Sequence, residues 1–253
     1  MATVQHLISQ KTCWIVLPKV LVLNLGQILQ AQSMLATWDI ASFSNSNVPP
    51  GAPAMPGLKA DLSQMKSQEI TESSGYSLEG SFTPDLVFSK YWLMRELAAV
   101  QPEISTMYIL GSWYGNLALF LTRYGHPQVD HIINVETNPE FLGASKKLLT
   151  LSGADNIEYM LKDANDLDYR QIDSNSAVVN TSLTDMQGQA WFDRIPPGTL
   201  VALQGRDNDA NLNFRSARDI QKRFPLKQVL YAGELDLEDP ETEYTRYMTI
   251  GKK

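Results

Sequence analysis

The sequence predicts an α/β fold: a Rossmann-like, doubly wound sheet of seven strands with the last strand antiparallel, behind an N-terminal helical cap. Three observations carry this. From residue 104 onward, short apolar runs alternate with helix-forming stretches, the pattern of parallel strands joined by crossover helices. One run, Met107-Tyr108-Ile109-Leu110, ends at Gly111, and a short turn through Ser112-Trp113-Tyr114 to Gly115 opens a helix. The last two runs, 227–235 and 244–251, have no helix between them, which makes them an antiparallel hairpin at the sheet edge.

Residues 1–44 are mostly apolar, and Gln27 to Trp38 has few helix breakers. Cys13 to Leu25 loosely resembles the apolar region of a signal peptide, and Ala31-Gln32-Ser33 is a weak cleavage match. The plain reading of this stretch is a helix of a capping element, and a start of translation at Met34 is a third. Residues 45–60 hold four prolines and two glycines and read as a linker. The chain thus divides into a cap or lid over 1–82 and a main domain over 83–253.

In the main domain, Thr83-Pro84-Asp85 starts a helix that runs on from Leu86 to Val100, with proline in the first turn. A strand Thr106–Leu110, a helix 116–124 and a strand 131–135 follow. Asn138 caps a helix over 138–152, with Pro139 at its first position, and Gly153 stops it. Strand Ile157–Met160 leads to the polar turn Lys162-Asp163-Ala164-Asn165-Asp166. Strand Ala177–Val179 ends in Asn180-Thr181-Ser182, and a short helix over Met186–Phe192 precedes Ile195-Pro196-Pro197-Gly198-Thr199. Strand Leu200–Gln204, a helix over 215–224 and the closing hairpin complete the sheet. The acidic residues from Glu234 to Glu243 read as a solvated hairpin tip.

The hydrophobic and charged fractions, 43% and 19%, are those of an ordinary globular protein. The net charge is −7 and no Lys/Arg stripe is present, which argues against a nucleic-acid backbone as partner. One cysteine, Cys13, excludes an intrachain disulfide. With three scattered histidines it gives no metal-ligand spacing, so no metal is expected. No apolar run reaches the roughly 18–20 residues of a membrane span.

The chemistry concentrates at two places. A glycine turn between strand and helix lets a ligand approach the backbone and the free N–H groups of the helix start. About 20 residues on, the strand His131-Ile132-Ile133-Asn134-Val135-Glu136 ends in a carboxylate. Together these are how α/β proteins hold an adenosine-type nucleotide, with the acid accepting from the ribose hydroxyls.

In this order the features resemble the class I S-adenosyl-L-methionine (SAM)-dependent methyltransferase family over about residues 84–251. Gly111-Ser112-Trp113-Tyr114-Gly115 resembles the glycine motif, where the methionine part of SAM lies. Glu136, followed by Thr137, matches the acid that binds the ribose. Asp163-Ala164 matches the turn that contacts adenine. Asn180-Thr181-Ser182 stands where the family keeps polar residues that face substrate. The departure is Trp113, which replaces the middle glycine. A dinucleotide enzyme needs that glycine beside a pyrophosphate, so Trp113 argues against NAD or FAD. Its indole would also favour a sulfonium cation.

Each residue has a plainer reading beside the functional one. Glu136 is otherwise a solvated strand-end acid, and Asp163 a turn cap. Trp113 and Tyr114 are either core aromatics closing the turn or a ligand wall. Asn180 either points into the crevice or forms a turn. Asp185 reads as a helix N-terminal charge before a general base. Tyr76 is a packing residue or part of a lid over the site, and Arg206 a substrate contact or a plain loop residue.

The resemblance implies a SAM-dependent transferase acting on a small molecule in the cytoplasm, as monomer or homodimer. Asn180, Ser182 and Tyr76 are its candidate catalytic residues. Two alternatives stand beside methyl transfer. One is attack on the aminocarboxypropyl chain with release of methylthioadenosine, as in azetidine-2-carboxylate synthases or nicotianamine-type enzymes. The other is a SAM-binding module without catalysis.

Overall fold

Successive residues of the central strands alternate between two buried faces, as the period of a pleated strand requires. Met107 and Ile109 enter one core cluster, Leu110 and Val178 the other. The computed structural model describes residues 78–186, 188–208, 212, 214–238 and 242–253. The cap helix, the 45–60 linker and Tyr76 lie outside these residues.

Seven strands form one sheet: β1 (Glu103–Leu110), β2 (Gln128–Glu136), β3 (Ile157–Leu161), β4 (Ala177–Asn180), β5 (Leu200–Arg206), β6 (Gln228–Glu238) and β7 (Glu243–Lys252). Their order is β3-β2-β1-β4-β5-β7-β6. The first five are parallel, and β7 runs antiparallel between β5 and β6. Helices α1 (Pro84–Val100), α2 (Asn116–Tyr124) and α3 (Pro139–Leu151) contribute to one core cluster. The short helices α4 (Ala190–Asp193) and α5 (Ala217–Arg223) contribute to the other. The result is three layers with the sheet in the middle.

The elements begin where their caps place them. The Asn138 side chain accepts from Glu140 N at 2.8 Å and starts α3. Ser216 accepts from Asp219 N at 3.2 Å and starts α5. Leu78 and Phe82, just before α1, are buried in the same core as α1 and α2, with the Phe82 ring 6.0 Å from that of Phe120.

Four elements differ most from the sequence expectation. β1 begins at Glu103 rather than Thr106, and β2 at Gln128 rather than His131, because backbone pairing continues past the apolar stretch into polar residues. The helix expected over Met186–Phe192 is only Ala190–Asp193. Before it, Asp185 N and Met186 N both turn back to Ser182 O, and Gly188 takes a left-handed φ of 74°. The acidic stretch is not all hairpin tip: Glu234, Asp236 and Glu238 alternate outward along the edge strand β6. Among the described residues no helix is long and apolar enough to cross a membrane.

Candidate functional site

The strand order reverses direction between β1 and β4, so the loops after these two strands diverge and leave a crevice. A cavity of about 440 Å³ lies there, within the roughly 300–1,000 Å³ of ligand pockets. Its walls come from the ends of β1, β2, β4, β5 and β7 and from helix α1.

The turn after β1 is tightly built. Ser112 N donates to Val135 O at 3.0 Å, and Gly115 N to Ser112 O at 2.8 Å. Gly115 has a φ of 75°, and a Cβ there would run into the Ser145 side chain and lie 3.0 Å from Leu149. Only glycine therefore lets α2 start this close to α3. Trp113 also adopts a left-handed backbone, φ 51°, the one non-glycine described residue to do so. That conformation costs an L-residue about 1–2 kcal/mol. The indole packs against Tyr114 (5.1 Å between ring centres) and Phe141 (6.2 Å).

Glu136 closes the turn from β2. Its Oε2 accepts from Trp113 N at 2.8 Å, and its Oε1 from Thr137 N at 2.8 Å and Asn138 N at 3.0 Å. It is not a solvated strand-end acid, since it is 8% exposed. Thr137 Oγ1 also donates to Oε1, at 3.4 Å, so Oε1 is fully engaged while Oε2, with a single donor, keeps a lone pair for a ligand. The buried Ser112 Oγ, on the same cavity wall, has no hydrogen-bond partner.

Of the sequence candidates, Gly111, Ser112, Trp113, Glu136, Thr137 and Ser182 meet at this cavity. Gly115 shapes the turn without lining it. Tyr114 is a buried core aromatic. Asn180 is fully buried beneath the wall: its Oδ1 accepts from Ser182 N at 2.8 Å and its Nδ2 lies 2.9 Å from Met186 Sδ. It holds two wall residues in place rather than facing the crevice. Asp163 caps its own turn, accepting from Asn165 N at 2.7 Å, and Ala164 is buried with its carbonyl accepting from the Tyr169 hydroxyl at 2.8 Å. Neither lines the cavity. Asp185 lines it from the turn after β4 and does not start a helix, because α4 begins only at Ala190.

Two charged wall residues escaped the sequence reading, Lys90 and Arg246. Lys90 Nζ donates to Thr181 Oγ1 at 2.8 Å. Burial holds its pKa well below the usual lysine value, the Arg246 charge pushes the same way, and Asp85 and Asp185 pull against them. Arg246 is 6% exposed, with Nη1 donating to Ser89 Oγ at 3.3 Å and Nε without a partner. The available signal was the alternation Tyr244, Arg246, Met248, Ile250, which puts an arginine in an otherwise buried file of β7. Arg206, noted in sequence as a substrate contact or a loop residue, ends β5 and lines the same cavity.

No sequence-family model matches the chain, and a search of curated proteins gives no match. Solved structures do match. The N-methyltransferase NodS from Bradyrhizobium japonicum WM9, in complex with S-adenosyl-L-homocysteine, superposes with a TM-score of 0.54 at 11% identity over 76% of this chain and 98% of NodS. EvdMO1 gives 0.52 at 16% identity, over 79% of this chain and 49% of EvdMO1. An rRNA methylase from Streptococcus thermophilus gives 0.46 at 19% identity, over 68% of this chain and 98% of the methylase. At these identities the likeness to NodS and EvdMO1 establishes the fold alone: the chain has the class I methyltransferase fold.

Proposed function

We propose that the chain binds SAM in this crevice and directs methyl transfer to a small-molecule acceptor. The observation that carries the reading is the pairing of Glu136 with the glycine turn at the switch point of the sheet, beside the partnerless Ser112 hydroxyl. These groups fit the cofactor. Glu136 retains acceptor capacity for ribose hydroxyls, Ser112 Oγ offers a free hydroxyl, and Trp113 offers an aromatic face that favours a cation. The adenine contact proposed for Asp163 would use its turn at the end of β3.

When bound, the cofactor supplies an electrophilic methyl group on a sulfonium. The chain's own part is to hold the acceptor in line with it and to exclude water. Thr181, Ser182 and Asp185, on the turn after β4, face the cavity where an acceptor would be positioned. Asn180 acts by fixing that turn through Ser182 N. Asp185 places a carboxylate on this wall, and its role would be to take a proton from an acceptor N–H or O–H. A small acceptor fits the cavity of about 440 Å³ and the net charge of −7 better than a nucleic acid does.

The test is product analysis. Incubation with SAM and an acceptor panel is expected to yield S-adenosylhomocysteine only when an acceptor is present. Methylthioadenosine from SAM alone would replace this reading with attack on the aminocarboxypropyl chain. Calorimetry adds a second check: Glu136→Ala should weaken SAM binding at least tenfold, and wild-type affinity in that variant would remove the ribose assignment.

A further inference from the structure

Lys90 reaches the cavity from α1, and Thr181 reaches it from the turn after β4. The two meet there, with Nζ donating to Oγ1 at 2.8 Å. This is the wall on which the acceptor of the proposed transfer would stand. Lysine on a helix is ordinarily solvated and charged, and this one is neither freely solvated nor alone. Arg246 acts on it from β7, Asp85 from α1 itself and Asp185 from the turn after β4. Arg206 lines the same cavity from the end of β5, and Glu136 from the end of β2. Asp85 is buried, and its Oδ2 accepts from the Tyr244 hydroxyl at 2.6 Å.

These groups pull in both directions. Burial opposes the ammonium form and Arg246 adds to that. The Asp85 and Asp185 carboxylates favour the ammonium and are outweighed, so the amine holds its proton less tightly than an exposed lysine does. A neutral amine that gives one N–H to Thr181 Oγ1 keeps its lone pair. It also presents no charge to a sulfonium in the same cavity, where an ammonium would repel one. A base whose proton affinity is lowered by its surroundings is the kind that works at ambient pH.

We propose that Lys90 is a catalytic base of the crevice: its amine takes the N–H or O–H proton of the acceptor during methyl transfer. This rests on the methyl-transfer reading. The acceptor's lone pair forms the bond to the methyl carbon, and the carbon–sulfur bond breaks with its electron pair remaining on sulfur. The acceptor's proton passes to Lys90 Nζ, which becomes an ammonium. The nearby Asp185 carboxylate favours that ammonium, so the two residues share the task, Lys90 taking the proton and Asp185 supporting the charge it acquires. Thr181 positions the amine through its hydroxyl.

The first test reads the amine directly. The full chain, labelled with carbon-13 at lysine Cε, is titrated by NMR between about pH 6 and 11. The signal missing from Lys90→Met is that of Lys90, and it should titrate below the other lysines. Addition of 4-nitrophenol, an acidic acceptor mimic, with saturating S-adenosylhomocysteine should move that signal toward its ammonium position at neutral pH. Titration of Lys90 together with the other lysines, or a signal unmoved by the phenol, would overturn the proposal. The second test uses SAM with a panel of small phenols and anilines. Lys90→Met should lower kcat at least a hundredfold with less than a threefold change in KM for SAM, and should abolish the rise of kcat with pH. Lys90→Arg keeps a donor for Thr181 but stays protonated, and it should be as impaired. Activity restored by arginine would make Lys90 a structural donor, and a pH profile lost in Asp185→Asn but kept in Lys90→Met would give the proton to Asp185 alone; either result overturns the base. Methylthioadenosine from SAM alone would remove the methyl-transfer reading and this role with it, whereas methyl transfer unaffected by Lys90→Met removes this role only.

Discussion

Lys90 shows how one side chain sets a function against stability. Its amine is buried and its pKa lies well below the usual 10.5. Between the lowered folded value and 10.5, the unfolded chain holds a proton that the folded chain does not, and folding is opposed. The residue's contribution to stability is therefore fully present above 10.5 and is lost as pH falls toward the folded value. Lys90→Met should accordingly be more stable than wild type at pH 7, by about 1–2 kcal/mol, with the difference shrinking toward pH 10. Denaturant melts at the two pH values check this, and a gap that stays constant would show that burial of the amine is not the cause. Lys90 was illegible in the sequence because a lysine on a helix ordinarily reads as part of a solvated face. Glu136 was legible because a strand-end acid after a glycine turn has few other reasons to stand there. Its second role, clamping the Trp113 backbone, could not be read from spacing, since it depends on a contact across 23 residues.

Among the elements, α2 and its preceding turn are the most constrained. Gly115 has a left-handed backbone and no room for a Cβ against Ser145 and Leu149. Gly115→Ala should destabilise the chain by about 2–3 kcal/mol, from strain at φ 75° plus displacement of α3. Thermal unfolding measures it, and a loss under 0.5 kcal/mol would mean that α3 shifts freely. The bounds of α2 agree with the sequence expectation because Gly115 and Gly125 bracket it, both in left-handed conformation. The bounds of α4 do not, because the chain after Ser182 is committed to turns that hold Asn180, Ser182 and Met186 together. That commitment comes from side chains, which periodicity does not record. Asp163 is the reverse case: its position in the polar turn was evident, and the structure spends its side chain on Asn165 N.

At the scale of the molecule, the alternation of apolar runs and helices was enough to read a seven-stranded sheet, and the missing helix before β7 was enough to read its reversal. The same alternation says nothing about which side chains share a cavity. Arg206 and Arg246 lie 40 residues apart in sequence and become neighbours only because β7 inserts beside β5. That insertion leaves β6 as an edge strand, with Glu234, Asp236 and Glu238 exposed along it and Val229 and Leu230 exposed near its start. Charges on an open edge discourage pairing with another sheet. Glu234→Thr combined with Glu238→Thr should give concentration-dependent association in sedimentation velocity. Sedimentation unchanged from wild type would show that the edge is guarded by something other than charge.

Trp113 has a consequence for chemical selectivity. Its backbone is forced to an angle that glycine takes without strain, and its indole stands on the cavity wall between two other aromatic rings. An inhibitor whose flat group lies along a bare glycine turn would collide here. A compound designed to stack on that indole would find no such surface in proteins that keep glycine at this place. Competition of such a compound with the cofactor would make it a selective probe for this chain.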